Sequence, residues 1–241
     1  MKKRLPACLG LVACAALLNA CSDNKKQTES QSPQGITADS VKAQHVKVAY
    51  AAYSDSLTTA TALQSAIDAL LASPTEANLA AAKTAYKAAR APYQQSEIMR
   101  WDTDITLLSN TGDDGIASVD EWEGQVNAWP LDESLIDYVS DGQGGVKAGF
   151  IIAGDQAITA ELLTSTNGAQ VNGLTGDAAE ANVATGVHAI EFLLWGQDLN
   201  GTAAGAGNRP ATDYSIENCT GGHCERRRQY LKVVTDLLVS D

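Results

Sequence analysis

The sequence predicts an all-α protein, an antiparallel up-down helical bundle. Three observations carry that expectation. Apolar residues recur at steps of three and four along several long stretches. No stretch shows the apolar–polar alternation of a half-buried strand. The connections are short or rich in Gly, Asn and Ser, as between neighbouring antiparallel helices.

The chain opens with an address. Lys2, Lys3 and Arg4 precede an apolar run from Ala7 to Leu18, which is too short to span a membrane, so residues 1–20 read as a secretory signal. Leu18-Asn19-Ala20-Cys21 resembles a bacterial lipobox, although Asn19 is an unusual occupant of its position. It predicts lipidation at Cys21 and a membrane anchor; the alternative is a cleaved, soluble periplasmic protein. Ser22 after the cysteine resembles lipoproteins sorted to the outer membrane. The expected location is the bacterial cell envelope, in the outer membrane or facing the periplasm.

Export alters the charge and cysteine counts. Loss of Lys2, Lys3 and Arg4 from 17 basic residues leaves 14 against 29 acidic, a net charge of about −15. So acidic a chain argues against nucleic-acid partners and against electrostatic binding to an anionic membrane. Cys8 and Cys14 leave with the signal, so Cys219 and Cys224 remain in an oxidising compartment, where a disulfide is the natural reading. A metal site that includes His223 would crowd three ligands onto one loop. Residues 21–38 form a polar tether with Pro33 and Gly35 and no apolar period.

A first helix is expected from about Ser40 to Leu71, with Val46, Tyr50, Tyr53, Leu57, Ala60, Leu63, Ile67 and Leu70 as its stripe. Ser73 or Thr75 can cap the next. That second helix should run from Glu76 to Trp101 on Leu79, Ala82, Tyr86, Ala89 and Tyr93, whose next step lands on Glu97. An acid on a buried stripe is an exception: it pairs with Arg100 or Arg90, or it faces a site across the bundle. Asn110, Asp114, Gly115 and Glu121 fall at calcium-loop positions, but Gly112 and Ala117 violate the pattern, and the segment reads as a solvated acidic loop. Trp129 and Pro130 read as a packed corner before a short helix. A third long helix is expected over residues 145–165 and a last one from Cys224, with Tyr230, Leu231, Val234, Leu237 and Leu238 as its apolar side.

The stretch from Gly176 to Asp198 reads as the central helix, opened by Asp177 and Glu180 as a capping box and stopped at Gly196. Val183, Val187, Ile190 and Leu194 form one stripe; Phe192, Leu193 and Trp195 cover other sides, so its second half should be buried. Into that half fall His188 and Glu191, three residues apart and on one face. Imidazole and carboxylate are good ligands for iron, zinc, copper or manganese, but a structural His–Glu hydrogen bond uses the same pair. Gly186 offers close approach one turn earlier.

Gly186-x-His188-x-x-Glu191, running into FLLWGQD, resembles the GxHxxE signature of the imelysin-like family, closest to its iron-regulated protein A group. Tyr93–Trp101, Glu123–Val139, Arg209-Pro210 and Asp213-Tyr214 resemble further family segments. The resemblance implies a metal site of His188 and Glu191 with Glu97 as a third ligand, iron first and zinc second, and a partner in iron transport. Arg209 either binds a carboxylate or pairs with Asp198 or Asp213. The family continues beyond residue 241, so residues 39–198 are expected to be its N-terminal bundle, and 199–241 a disulfide loop plus the first helix of a second bundle. Two other functions compete: a zinc metallopeptidase, for which HExxH and a second helical histidine are missing, and a surface interaction module whose His–Glu pair is structural.

Overall fold

The computed structural model describes residues 35–100 and 117–241. The signal, the lipobox with Cys21, most of the tether, Trp101 and the acidic segment through Ile116 lie outside the described residues. The chain separates into two compact units, 1–43 and 44–241; of the first, only the opening of a helix is described.

The expected all-α bundle is present, with one short hairpin added. Helix α1 spans Ala38–Ala72. Thr37 and Ser40 each donate a backbone N–H to the other's hydroxyl, a reciprocal cap that fixes its start. Only the second half of its stripe is buried: Leu63, Ile67 and Leu70 lie in the core, while Val46, Tyr50 and Leu57 are exposed. Helix α2 covers Glu76–Gln95, with Thr75 as its cap, accepting the Asn78 N–H. A four-residue helix, α3, follows at Glu97–Arg100. The expected unbroken run to Trp101 therefore fails. Pro92 brings no N–H to the last turns of α2, and the chain turns at Ser96, which is fully buried.

Helix α4 (Ala117–Val126) and the short α5 (Glu133–Ile136, capped by Asp132) come next. Strands β1 (Val139–Ser140) and β2 (Val146–Lys147) pair antiparallel, Val139 opposite Lys147. The third long helix is replaced by two short ones, α6 (Phe150–Ala153) and α7 (Ala160–Thr166), separated at Gly154, a poor helix interior residue.

The central helix also begins later than expected. Gly176–Ala181, with the expected capping box, is a 3-10 turn, and α8 proper spans Gly186–Trp195. Residues 182–185 run extended and buried, so their polar groups need fixed partners. Asn182 donates to the Ala169 and Val171 carbonyls, and Asn167 accepts the Ala184 N–H and donates to Thr185 Oγ1.

Gly186 is thus the first residue of α8 rather than its middle. It has φ +79°, and a Cβ there would lie 2.4 Å from the Val126 carbonyl oxygen and 2.6 Å from that of Gln125. The missing side chain does admit something close, namely the end of α4. Gly196 stops the helix as expected, with φ +70° and its N–H on the Phe192 carbonyl. After a 3-10 turn at Ala211–Tyr214, α9 runs Cys224–Ser240.

Helix α8 packs mainly on α9 and α2. Val187, Ile190, Leu193 and Leu194 meet Leu79 and Ala82 of α2 and Tyr230, Leu231 and Val234 of α9 in one core. Burying each such side chain contributes about 1.5–3 kcal/mol.

Candidate functional site

Helix α8 is buried on every side but one. His188 and Glu191 occupy that side; the Glu191 side chain is 52% exposed and that of His188 18%. The expectation that both sit in the buried half is corrected: they line an open cleft of about 420 Å³. Nearby ring systems shape it. Trp129 is not the packed corner expected but is 72% exposed, its ring centroid 5.0 Å from that of His188. Tyr86, from α2, meets Trp195 edge-on at 5.3 Å. Lys83 and Lys87 lie over the Trp195 ring, and Leu131 and Phe192 complete the apolar lining.

At the centre is one oxygen. Glu191 Oε2 is 3.5 Å from His188 Nδ1 and accepts the Tyr86 hydroxyl at 3.1 Å. The His188 contact first, then the Tyr86 hydrogen bond, holds the Glu191 carboxyl below the usual carboxylate range, against the opposing effect of partial burial. By distance the Tyr86 contact is the stronger bond. Burial, then the Glu191 charge, raises the Tyr86 phenol well above its ordinary value.

Glu133 and Asp198 line the same cleft. Burial pushes the Glu133 carboxyl up, and Asp132 and Asp198 add to it against the Gln197 hydrogen bond. Asp198, exposed, accepts the backbone and side-chain N–H groups of Asn200. Glu97 is not brought to this pair: it is exposed on α3 and does not line the cleft. The register break after Gln95 turns it off the Tyr86 stripe, and Arg90, one of its expected partners, donates instead to Asn127.

Below α8 lies a buried ionic frame. Asp137, fully buried, accepts from Arg227 Nε at 2.5 Å and Nη2 at 2.9 Å and sits 2.9 Å from Arg209 Nη1. Arg209 also donates to Asp213, which further accepts the Tyr138 and Thr220 hydroxyls. So Arg209 pairs with Asp213, as one reading expected, and with Asp137, which none did. Among the described residues its Nε and Nη2 have no hydrogen-bond partner, and its guanidinium stacks 4.7 Å from the Tyr138 ring. Burial pushes the Asp137 carboxyl up, but the Arg227 hydrogen bonds and the two arginine charges outweigh it and hold the group low.

Cys219 and Cys224 are bonded, their Cα atoms 5.8 Å apart. The disulfide closes the loop whose Gly221 and Gly222 carbonyls accept from Arg227. Two hydrogen bonds to backbone carbonyls tie this frame to α8: the Tyr214 hydroxyl donates to the Leu193 carbonyl, and the Arg209 backbone N–H to that of Trp195.

Sequence reasoning overlooked Tyr86 and Trp129 as cleft residues and missed Asp137 and Arg227. Arg227 was findable, since it shares a helical face with Tyr230, Leu231 and Val234. Tyr86 was not, because a tyrosine on an apolar stripe looks like core.

The fold and cleft define a helical-bundle protein whose candidate site is a His–Glu pair one helical turn apart. The imelysin family (peptidase M75) matches residues 49–241, and the chain belongs to that family. It is also similar to iron-regulated protein A of Synechococcus elongatus, 28% identical over 124 residues. That alignment covers 52% of this chain and 29% of the relative.

Proposed function

We propose that this is an envelope protein, anchored through a lipid on Cys21, that binds an iron ion through His188 and Glu191 in the service of iron uptake. The convergence of His188 Nδ1 and Glu191 Oε2, 3.5 Å apart on the wall of an open cleft, carries the reading. Two donors to one ion at about 2.1 Å stand about 3.0–3.4 Å apart, so the pair needs little rearrangement. Family membership and a relative named for iron regulation support iron as the cargo.

The metallopeptidase reading draws less support. It requires three protein ligands, an open position for water and a separate base. Among the described residues no third His, Cys, Asp or Glu joins the pair.

The test is calorimetric titration of ferric iron, presented as its nitrilotriacetate complex, and of zinc chloride into the purified protein, His188→Ala and Glu191→Ala. Stoichiometric binding by the wild type, weakened at least about tenfold by each substitution, supports the reading. Equal affinity in all three proteins refutes it.

A further inference from the structure

Two protein ligands make a weak site, and no third His, Cys, Asp or Glu is in place among the described residues. A donor of another type is. The Tyr86 hydroxyl stands 3.1 Å from Glu191 Oε2, the same oxygen that His188 Nδ1 approaches at 3.5 Å. The first spacing lies within, and the second just beyond, the roughly 3.0–3.4 Å expected of neighbouring donors to one ion. The three groups line one cleft. They stand on two packed helices, α2 and α8, and the Tyr86 ring is 4% exposed and braced by Trp195. A donor fixed in this way loses little side-chain freedom when it binds.

We propose that Tyr86 is the third protein donor of the site, and that the set of phenolate, carboxylate and imidazole selects ferric iron over divalent cations. This rests on the reading of His188 and Glu191 as ligands. A phenolate and a carboxylate together carry two negative charges, and a trivalent cation is attracted to two anionic donors more strongly than a divalent one is. Hard anionic oxygen donors also match the hard ferric ion, whereas imidazole with a single carboxylate discriminates poorly among first-row metals. On binding, the Tyr86 O–H bond breaks as an iron–oxygen bond forms, and the proton leaves to solvent. No electron is transferred, because the iron enters and stays ferric.

Phenolate bound to ferric iron absorbs visible light by ligand-to-metal charge transfer, and zinc phenolate does not. The experiment adds ferric nitrilotriacetate, then separately zinc chloride, to the purified protein and to Tyr86→Phe, recording visible spectra and affinity. Phenylalanine keeps the ring against Trp195, and circular dichroism with thermal unfolding checks that the variant is folded. The wild type should gain a visible band that saturates at one equivalent of iron and whose formation releases a proton. Tyr86→Phe should lose the band and bind ferric iron at least about tenfold more weakly, with zinc affinity nearly unchanged.

Iron binding that depends on His188 but brings no band, or a band that persists in Tyr86→Phe, overturns the role of Tyr86 and leaves the His188–Glu191 site standing. Absence of any binding by the wild type overturns that site, and the tyrosine proposal with it.

Discussion

Replacing Gly186 by alanine separates two explanations of the glycine in the signature. One is that it leaves room for a bound ion one turn before His188. The other is that it leaves room for the chain itself, and the structure favours the second. At φ +79° an alanine pays about 1–2 kcal/mol for left-handed backbone. Its Cβ would also fall 2.4 and 2.6 Å from two backbone carbonyl oxygens at the end of α4, which no rotamer change relieves. Such overpacking costs a further 1–3 kcal/mol or so. The expected loss is therefore about 2–5 kcal/mol, or roughly 5–15 °C in Tm at this size. Urea and thermal unfolding of Gly186→Ala beside the wild type measure it. Metal affinity per folded molecule should change far less than stability does. A variant within about 0.5 kcal/mol of the wild type would refute the reasoning. So would one of unchanged stability that no longer binds metal.

Other perturbations test the frame and the cleft. Asp137→Asn leaves two buried arginines short of a counter-charge and should cost about 3–5 kcal/mol in urea unfolding. Because the folded Asp137 carboxyl titrates below its unfolded value near 3.9, its contribution is present above that pH and is lost as pH falls through the folded value. An acid unfolding curve should therefore show a limb that Asp137→Asn lacks. Reducing the Cys219–Cys224 bond, or replacing both cysteines by serine, opens a six-residue loop and should lower stability by about 2 kcal/mol in the same assay. Glu97→Gln should leave ferric and zinc affinity unchanged in calorimetry, because Glu97 is exposed and off the cleft.

How far the site was legible follows from what spacing can encode. The His188–Glu191 relation lies within one helix and was readable from the sequence, as were the stop at Gly196 and, as one of two candidates with Ser73, the cap at Thr75. Glu97 failed because the stripe argument assumes unbroken helical phase, and Pro92 and the buried Ser96 reset it. The start of α8 failed because Asp177 and Glu180 have capping-box spacing whether or not a helix continues, and only the partners of Asn182 and Thr185 show that it does not. Tyr86 and Trp129 reach the cleft from other parts of the chain, and no local period carries that information. The exposed first half of the α1 stripe makes a related point: periodicity marks a face able to pack, and the described residues cover only the second half of it.

The ionic frame explains how a cleft so open at one face can still hold His188 and Glu191 in place. His188 and Glu191 have few neighbours on the solvent side, so their positions depend on α8 being fixed from beneath. The carbonyls of Leu193 and Trp195, in the last turn of α8, accept from Tyr214 and Arg209. Arg209 is held by Asp137 and Asp213, and Asp137 is held by Arg227, which also donates to the Asp213 carbonyl and to those of Gly221 and Gly222 in the disulfide loop. Asp137 is the C-cap of α5, whose first residue, Glu133, also lines the cleft. One buried carboxylate therefore links the end of α5 to the arginines beneath α8. A large network of this kind costs desolvation that apolar packing would not. Its return is positional: apolar contacts slide, whereas a bidentate arginine–carboxylate pair fixes distance and angle together. Replacing Asp137 by a residue that restores stability without the pair should therefore still weaken ferric binding.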